Sequence, residues 1–216
     1  MYWAAQEMNL CAISFGELNL PIGPDEAIRI LEAPPLNFER VRCTFPDMLV
    51  TYARNLVGTP RYRRGTDARD APAVVDCSSF VRWIYGLHGI GLHRRSILQR
   101  DCDGGRPVEL DDVRAGDLVF MAGYGHNYWW PGRPDDDVGH VMLATGEGTV
   151  VHANRRGARH GVTEDSIARA LTPDRFRGAR RWVEDPDDFY VIRTTPRWCV
   201  RSSNDLLFLI LQNMRC

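Results

Sequence analysis

The chain contains no lysine: all 27 of its basic residues are arginine. Schiff-base chemistry and a phosphate-loop lysine are therefore excluded. No C-x-x-C pair occurs among the six cysteines Cys11, Cys43, Cys77, Cys102, Cys199 and Cys216, so neither a thioredoxin-like motif nor a zinc knuckle is indicated. An excess of one charge is missing too. The 27 basic and 28 acidic residues leave a net charge of -1, too weak a field to gather nucleic acid or an anionic membrane. Long apolar runs are absent. The run at Leu206–Leu211 has six residues, whereas a spanning helix needs about 20, so it reads as a helix docked on a core. Residues 1–16 show no basic, then apolar, secretory signal. Nucleic acid and membrane insertion are not expected, and no export address is read.

What is present describes a folded protein. The 216 residues are 44% apolar and 25% charged, enough to bury one good core. Ala27, Ile28 and Leu31 recur at helical spacing before Pro34 and Pro35. A second helix is predicted over Pro46–Leu56, with Gly58 beyond its end. A third begins at Asp76 or Cys77, carries Phe80, Val81, Ile84, Tyr85 and His88, and stops near Gly86 and Gly89. A short helix follows over Ser96–Asp101. The period then changes. Strands are predicted at Asp117–Met121, His140–Thr145, Thr149–Ala153 and Phe189–Thr195, with a helix over Thr163–Leu171 behind a capping-like Thr163. Helices followed by strands predict an α+β fold with an antiparallel sheet packed on helices. The expected division is a lead-in over 1–44, a catalytic unit over 45–195 and a docked C-terminal helix over 196–216. A monomer is expected. The arginine pairs are dispersed among acids and read as solvated surface, and His88, His93 and His160 as surface or helix-end residues.

One constellation carries chemistry. Cys77 stands where Asp76-Cys77-Ser78-Ser79 enters a helix, with Asp76 able to cap it. Helix N-termini favour thiolate; a buried structural cysteine is the plain alternative. If Thr145-Gly146-Glu147 closes a three-residue hairpin loop, His140 faces His152 on one side of the sheet. One imidazole then serves as base and the other orients it, with Asn154 in reserve. Alone, each histidine would read as a strand-end or core residue. A zinc site from Cys77 and the two histidines lacks a fourth ligand.

These residues resemble the NlpC/P60 family of cell-wall cysteine peptidases. The matching blocks are Asp76-Cys77-Ser78-Ser79-Phe80-Val81, Gly116-Asp117-Leu118-Val119-Phe120, Gly139-His140-Val141 and Val151-His152-Ala153, in the family's order, with a weaker match at Gly58-Thr59-Pro60 and Tyr62. The resemblance covers roughly residues 45 to 195. It implies a papain-like core with the nucleophile at a helix N-terminus. It also implies hydrolysis of amide bonds in peptidoglycan stem peptides, with no metal or organic cofactor. Residue by residue, it implies Cys77 as nucleophile, His140 as base, His152 as polar third member and Tyr62 as an auxiliary donor to the oxyanion. Asp76 and Ser78 are expected to contact substrate. Tyr128, Trp129 and Trp130, in a long segment between Met121 and Val138, are expected as a cleft wall. Ser79 departs from the family's usual glycine, and Arg61 is an extra residue before the tyrosine. Two rival readings keep the same fold: an amidase, acyltransferase or toxin acting on a non-wall substrate, and a catalytically inactive binding module. Purified muropeptides separate the first from a wall peptidase, and a thiol-directed probe separates the second.

Overall fold

The computed structural model describes residues 10–14, 20–41, 44–88, 90–102, 104–123, 137–155, 161–182, 189–195, 200 and 203–214. Tyr128, Trp129 and Trp130 lie outside them.

The helices form where the sequence supplies both an apolar stripe and a cap. Helix α1 (Pro24–Glu32) buries Ala27, Ile28 and Leu31. Helix α2 (Phe45–Asn55) starts one residue before the predicted proline, because Thr44 caps it. The Thr44 hydroxyl accepts from the Asp47 N–H at 3.2 Å, and the Asp47 carboxylate accepts from the Thr44 N–H at 3.2 Å. Helix α3 (Cys77–Gly86) is capped in the same reciprocal way by Asp76 and Ser79. The Ser79 N–H donates to Asp76 Oδ1 at 2.9 Å, and the Asp76 N–H donates to Ser79 Oγ at 2.8 Å. Ser79 thus completes the cap. Helix α4 (Ser96–Asp101) is short.

The main sheet has eight strands in the order β4-β3-β9-β8-β7-β6-β10-β5. These are β3 (Arg61–Tyr62), β4 (Val74–Val75), β5 (Arg106–Val108), β6 (Leu118–Met121), β7 (His140–Ala144), β8 (Thr149–Asn154), β9 (Gly161–Ser166) and β10 (Phe176–Arg181). Its ladders are antiparallel except β3 with β4, which run parallel. The predicted helix over Thr163–Leu171 is a strand for its first part. Residues 161–166 pair with β8 from Asn154↔Gly161 to Thr149↔Ser166. Only Ile167–Ala170 turn into a helix, α5, capped by Ser166. A buried neighbouring strand that needs a hydrogen-bonded partner outweighs a local capping signal.

Alternation sorts the sheet's side chains into two cores. On one face, Leu118, Phe120, Val141, Leu143, Val151 and Ala153 pack against Phe45, Met48 and Leu49 of α2 and Phe80, Val81 and Ile84 of α3. Each large apolar side chain buried there contributes about 1.5–3 kcal/mol. On the other face, Val119, Met121, Met142, Ala144 and Val150 pack against Ala170, Leu171 and Ala179. His88, expected at the surface or a helix end, turns inward against the rings of Phe45 and Tyr52 at 5.3 and 5.5 Å. Burial pushes its pKa down to about 4.

A smaller three-stranded sheet, β1-β11-β2, lies apart from the eight-stranded one. It joins β1 (Leu10–Ser14) and β2 (Glu39–Arg40) to β11 (Phe189–Arg193). Its core is shared by α1 and α6 (Ser203–Asn213), through Ile28, Leu31, Leu206 and Ile210 among others. Among the described residues no helix is long and apolar enough to cross a membrane.

Candidate active site

The predicted residues converge on one cavity of about 680 Å³, whose lining includes Tyr62, Cys77, Ser78, His140, His152 and Asn154. Cys77 is the first residue of α3 and is 7% exposed. The backbone amides of Val141 and Ser78 reach its sulfur. Val141 directly follows His140, so the thiol lies at the end of β7 from which His140 projects. Burial pushes the Cys77 thiol up to about 11, and the Asp76 carboxylate adds to the rise. The Val141 and Ser78 amides and Arg94 oppose it. The helix N-terminus alone does not make this thiol a resting thiolate, because desolvation is the larger effect.

The histidines meet, although not by the predicted register. Strands β7 and β8 pair Leu143↔Val151 and Ala144↔Val150, so the connection between them runs over residues 145–148 rather than 145–147. The Thr145 N–H donates to the Thr149 carbonyl at 3.1 Å, and Gly146 and Gly148 both adopt positive φ, 80° and 74°. Continued along the ladder, Met142 rather than His140 stands opposite His152. The slip is two residues, and side chains alternate with a period of two, so both imidazoles stay on one face as diagonal neighbours. His140 Nε2 and His152 Nδ1 are 2.7 Å apart, with ring centroids at 5.0 Å and planes at 76°.

A further carboxylate stands behind this pair. His152 Nε2 is 3.1 Å from Asp165 Oδ2 on β9. Asn154 Nδ2 donates to Thr163 Oγ1 at 2.6 Å and lies 3.3 Å from His152 Nε2. The Thr163 hydroxyl donates to Asp165 Oδ2 at 3.3 Å. Desolvation works to raise the Asp165 pKa, but the hydrogen bond and charge of His152, with Thr163 and Arg169, hold it below the usual carboxylate range. Sequence reasoning missed Asp165 and Thr163 because it assigned both to a helix. With Val162 as the single apolar side chain in this stretch, no local period marked it as a strand.

Asp76 also borders the cavity, but its carboxylate is already occupied. Oδ1 accepts from Ser79 N–H, Ser78 Oγ and Arg94 Nη1; Oδ2 accepts from Gly65 N–H at 2.9 Å and Arg94 Nη2 at 2.5 Å. Burial favours its protonation, yet Arg94 and the two backbone amides outweigh that and hold its pKa low. Asp76 thereby ties the head of α3 to the Gly65 loop and to Arg94. Tyr62 reaches the cavity from β3, whose Arg61 pairs with Gly161 of β9.

Backbone packing fixes the approach of His140. A β-carbon on Gly139 would lie 2.1 Å from the Gly123 Cα, so residues 123 and 139 cross with no room for a side chain. The Gly139 N–H donates to the Met121 carbonyl at 3.1 Å, which closes β6 against β7 just before His140.

The pattern described as the NlpC/P60 family matches residues 58–181. A peptidoglycan DL-endopeptidase CwlO from Bacillus licheniformis is 31% identical over 139 residues, 62% of this chain and 28% of that protein. A gamma-D-glutamyl-L-lysine dipeptidyl-peptidase from Bacillus cereus is 30% identical over 140 residues, 63% of this chain and 36% of that protein. The chain thus covers well under half the length of either relative. Among solved structures, NlpC1 from Trichomonas vaginalis superposes with a TM-score of 0.53 at 20% identity, covering 66% of this chain and 46% of that one. The shared fold is the papain-like α+β arrangement expected from the sequence.

Proposed function

The chain belongs to the NlpC/P60 family, and from that premise we propose that it is a cysteine peptidase that hydrolyses amide bonds in peptidoglycan stem peptides. The observation that carries this reading is the 2.7 Å contact between His140 and His152 beside the Cys77 thiol in one cavity. The names of the two curated relatives support the substrate class.

The chemistry is acyl transfer through a thioester. His140 Nε2 is engaged by His152, and in this reading Nδ1 takes the thiol proton. As the S–H bond breaks, its electron pair forms the S–C bond to the substrate carbonyl, whose π pair moves to oxygen. The protonated His140 then delivers the proton to the leaving amine, and the thioester forms. Water attacks next, with His140 again as base, and the acid product leaves. Burial works against a resting thiolate at Cys77, so His140 is needed to take the thiol proton. The Cys77 N–H and the Tyr62 hydroxyl serve the oxyanion. Ser78 borders the acyl-binding region, and Arg95 and Arg155, also in the lining, suit stem-peptide carboxylates.

The test is digestion of purified muropeptides followed by mass spectrometry. Wild-type protein releases stem-peptide fragments, and Cys77→Ala releases none while keeping its circular dichroism spectrum. A Cys77→Ala protein with undiminished turnover overturns the reading.

A further inference from the structure

We propose that Asp165 is a positioning residue that selects, through His152, the nitrogen of His140 that accepts the thiol proton. The inference rests on the reading of Cys77 and His140 as nucleophile and base. A neutral imidazole carries one N–H and one lone pair. The contacts Asp165–His152–His140 therefore allow two patterns. In the first, His152 Nε2–H donates to Asp165, His140 Nε2–H donates to His152 Nδ1, and His140 Nδ1 keeps a lone pair. In the second every donor is reversed, and His140 Nδ1 already bears a proton. Only the first leaves a base toward the thiol.

Two neighbours of His152 Nε2 demand opposite patterns. Asp165 Oδ2, at 3.1 Å, is an acceptor and requires an N–H there. Asn154 Nδ2, at 3.3 Å, is a donor and requires a lone pair. Asp165 prevails on three counts. It is closer. A bond to a charged acceptor is roughly twice as strong as one between neutral groups. And the shorter bond of Asn154, at 2.6 Å, goes to the Thr163 hydroxyl, which in turn donates to Asp165. With Asp165 as an ionised acceptor, the bonds from His152, Asn154 and Thr163 fit one consistent donor pattern. His152 is largely buried, 6% exposed, which strengthens its bond to the charged acceptor. When His140 takes the thiol proton, the carboxylate behind His152 also faces the new positive charge through one polarisable ring.

The experiment reads tautomers directly. Two-bond nitrogen–proton correlation spectra of the ¹⁵N-labelled full chain near neutral pH will show both His140 and His152 protonated at Nε2. In Asp165→Asn the new amide donates to His152 Nε2, both rings switch to Nδ1–H, and kcat/KM falls about 10- to 100-fold, the usual scale for losing an outer partner, mostly through kcat. A wrong tautomer in an intact geometry is the cause. Asp165→Glu restores the Nε2–H pair, and Asn154→Ala leaves it unchanged. A wild-type His140 carrying its proton at Nδ1 overturns the proposal, as does an Asp165→Asn protein with unchanged tautomers and turnover. Should that variant fail to fold, the wild-type spectrum decides alone. Activity retained by Cys77→Ala would instead remove the peptidase reading and leave the tautomer assignment standing.

Discussion

Asp117 and Asp165 both anchor a nitrogen-bearing partner on the same sheet, and they do so with different consequences. Asp117, 1% exposed, takes two bonds from the Arg181 guanidinium, at 2.9 Å to Oδ1 and 2.7 Å to Oδ2. It also accepts from the Arg114 N–H at 2.8 Å, and Arg181 donates to the Asp112 carbonyl at 2.8 Å. Guanidinium does not deprotonate in a protein, so this cluster is static: it locks β10 to the start of β6. Asp165 is half-buried, and its partner is an imidazole that can carry a proton at either nitrogen. One carboxylate holds strands together; the other holds a protonation pattern. Similar bond lengths conceal that difference, and the chemistry of the partner reveals it.

The sharpest way to break the comparison is to remove the base. His140→Ala is expected to lower kcat by about 10²- to 10⁴-fold, measured on purified muropeptides, with little change in denaturant midpoint. His152→Ala, one step removed, loses less; the reverse ranking contradicts the assigned roles. Next comes Asp117→Ala, which strands a buried guanidinium. It should cost about 3–5 kcal/mol of unfolding free energy in urea, while the surviving folded fraction keeps its specific activity. Equal losses of activity per folded molecule in Asp117→Ala and His140→Ala would erase the distinction between the two networks.

Acid sharpens the contrast further. Asp76 is held ionised by Arg94 and two backbone amides. A depressed folded-state pKa means stability that is fully present above the unfolded value of about 4 and lost as pH falls through the folded value. Wild-type unfolding free energy should therefore drop below about pH 4, and Asp76→Asn should start lower near neutrality and flatten that acid limb. An unchanged limb in the variant would reassign the acid sensitivity elsewhere. The smallest effect is expected at Arg54, which pairs with Glu164 at 2.9 Å and Glu147 at 2.7 Å with about a third of its side chain exposed. Arg54→Ala should cost about 1 kcal/mol or less; a loss comparable to Asp117→Ala would show that solvent screening was overestimated there.

The parts legible in the sequence were those with a local signature. Asp76 announces the head of α3, and short apolar runs between turn signals announce β6, β7 and β8. The shared face of His140 and His152 was legible because parity survives a two-residue slip, although the register was not. Two glycines in the turn allow several closures, and only pairing with β6 and β9 selects among them. Strand β9 was hidden because Thr163 and Ser166 mimic helix caps, and the position of Asp165 was hidden with it. Strand β10 reads as polar surface through Arg177, Arg180 and Arg181. Nothing local reveals that Arg181 is buried, since its partner Asp117 lies 64 residues away. The β1-β11-β2 sheet joins the two ends of the chain, a contact no short window contains.

The crossing of Gly123 and Gly139 has a consequence for how substitutions in this protein will be read. Neither residue offers a functional group, yet the smallest possible addition at 139 would push one main chain off another and swing the imidazole that follows it. A saturation screen scored only by turnover will therefore rank this silent position alongside the nucleophile itself, and a fulcrum will be mistaken for a reagent unless stability is recorded in parallel.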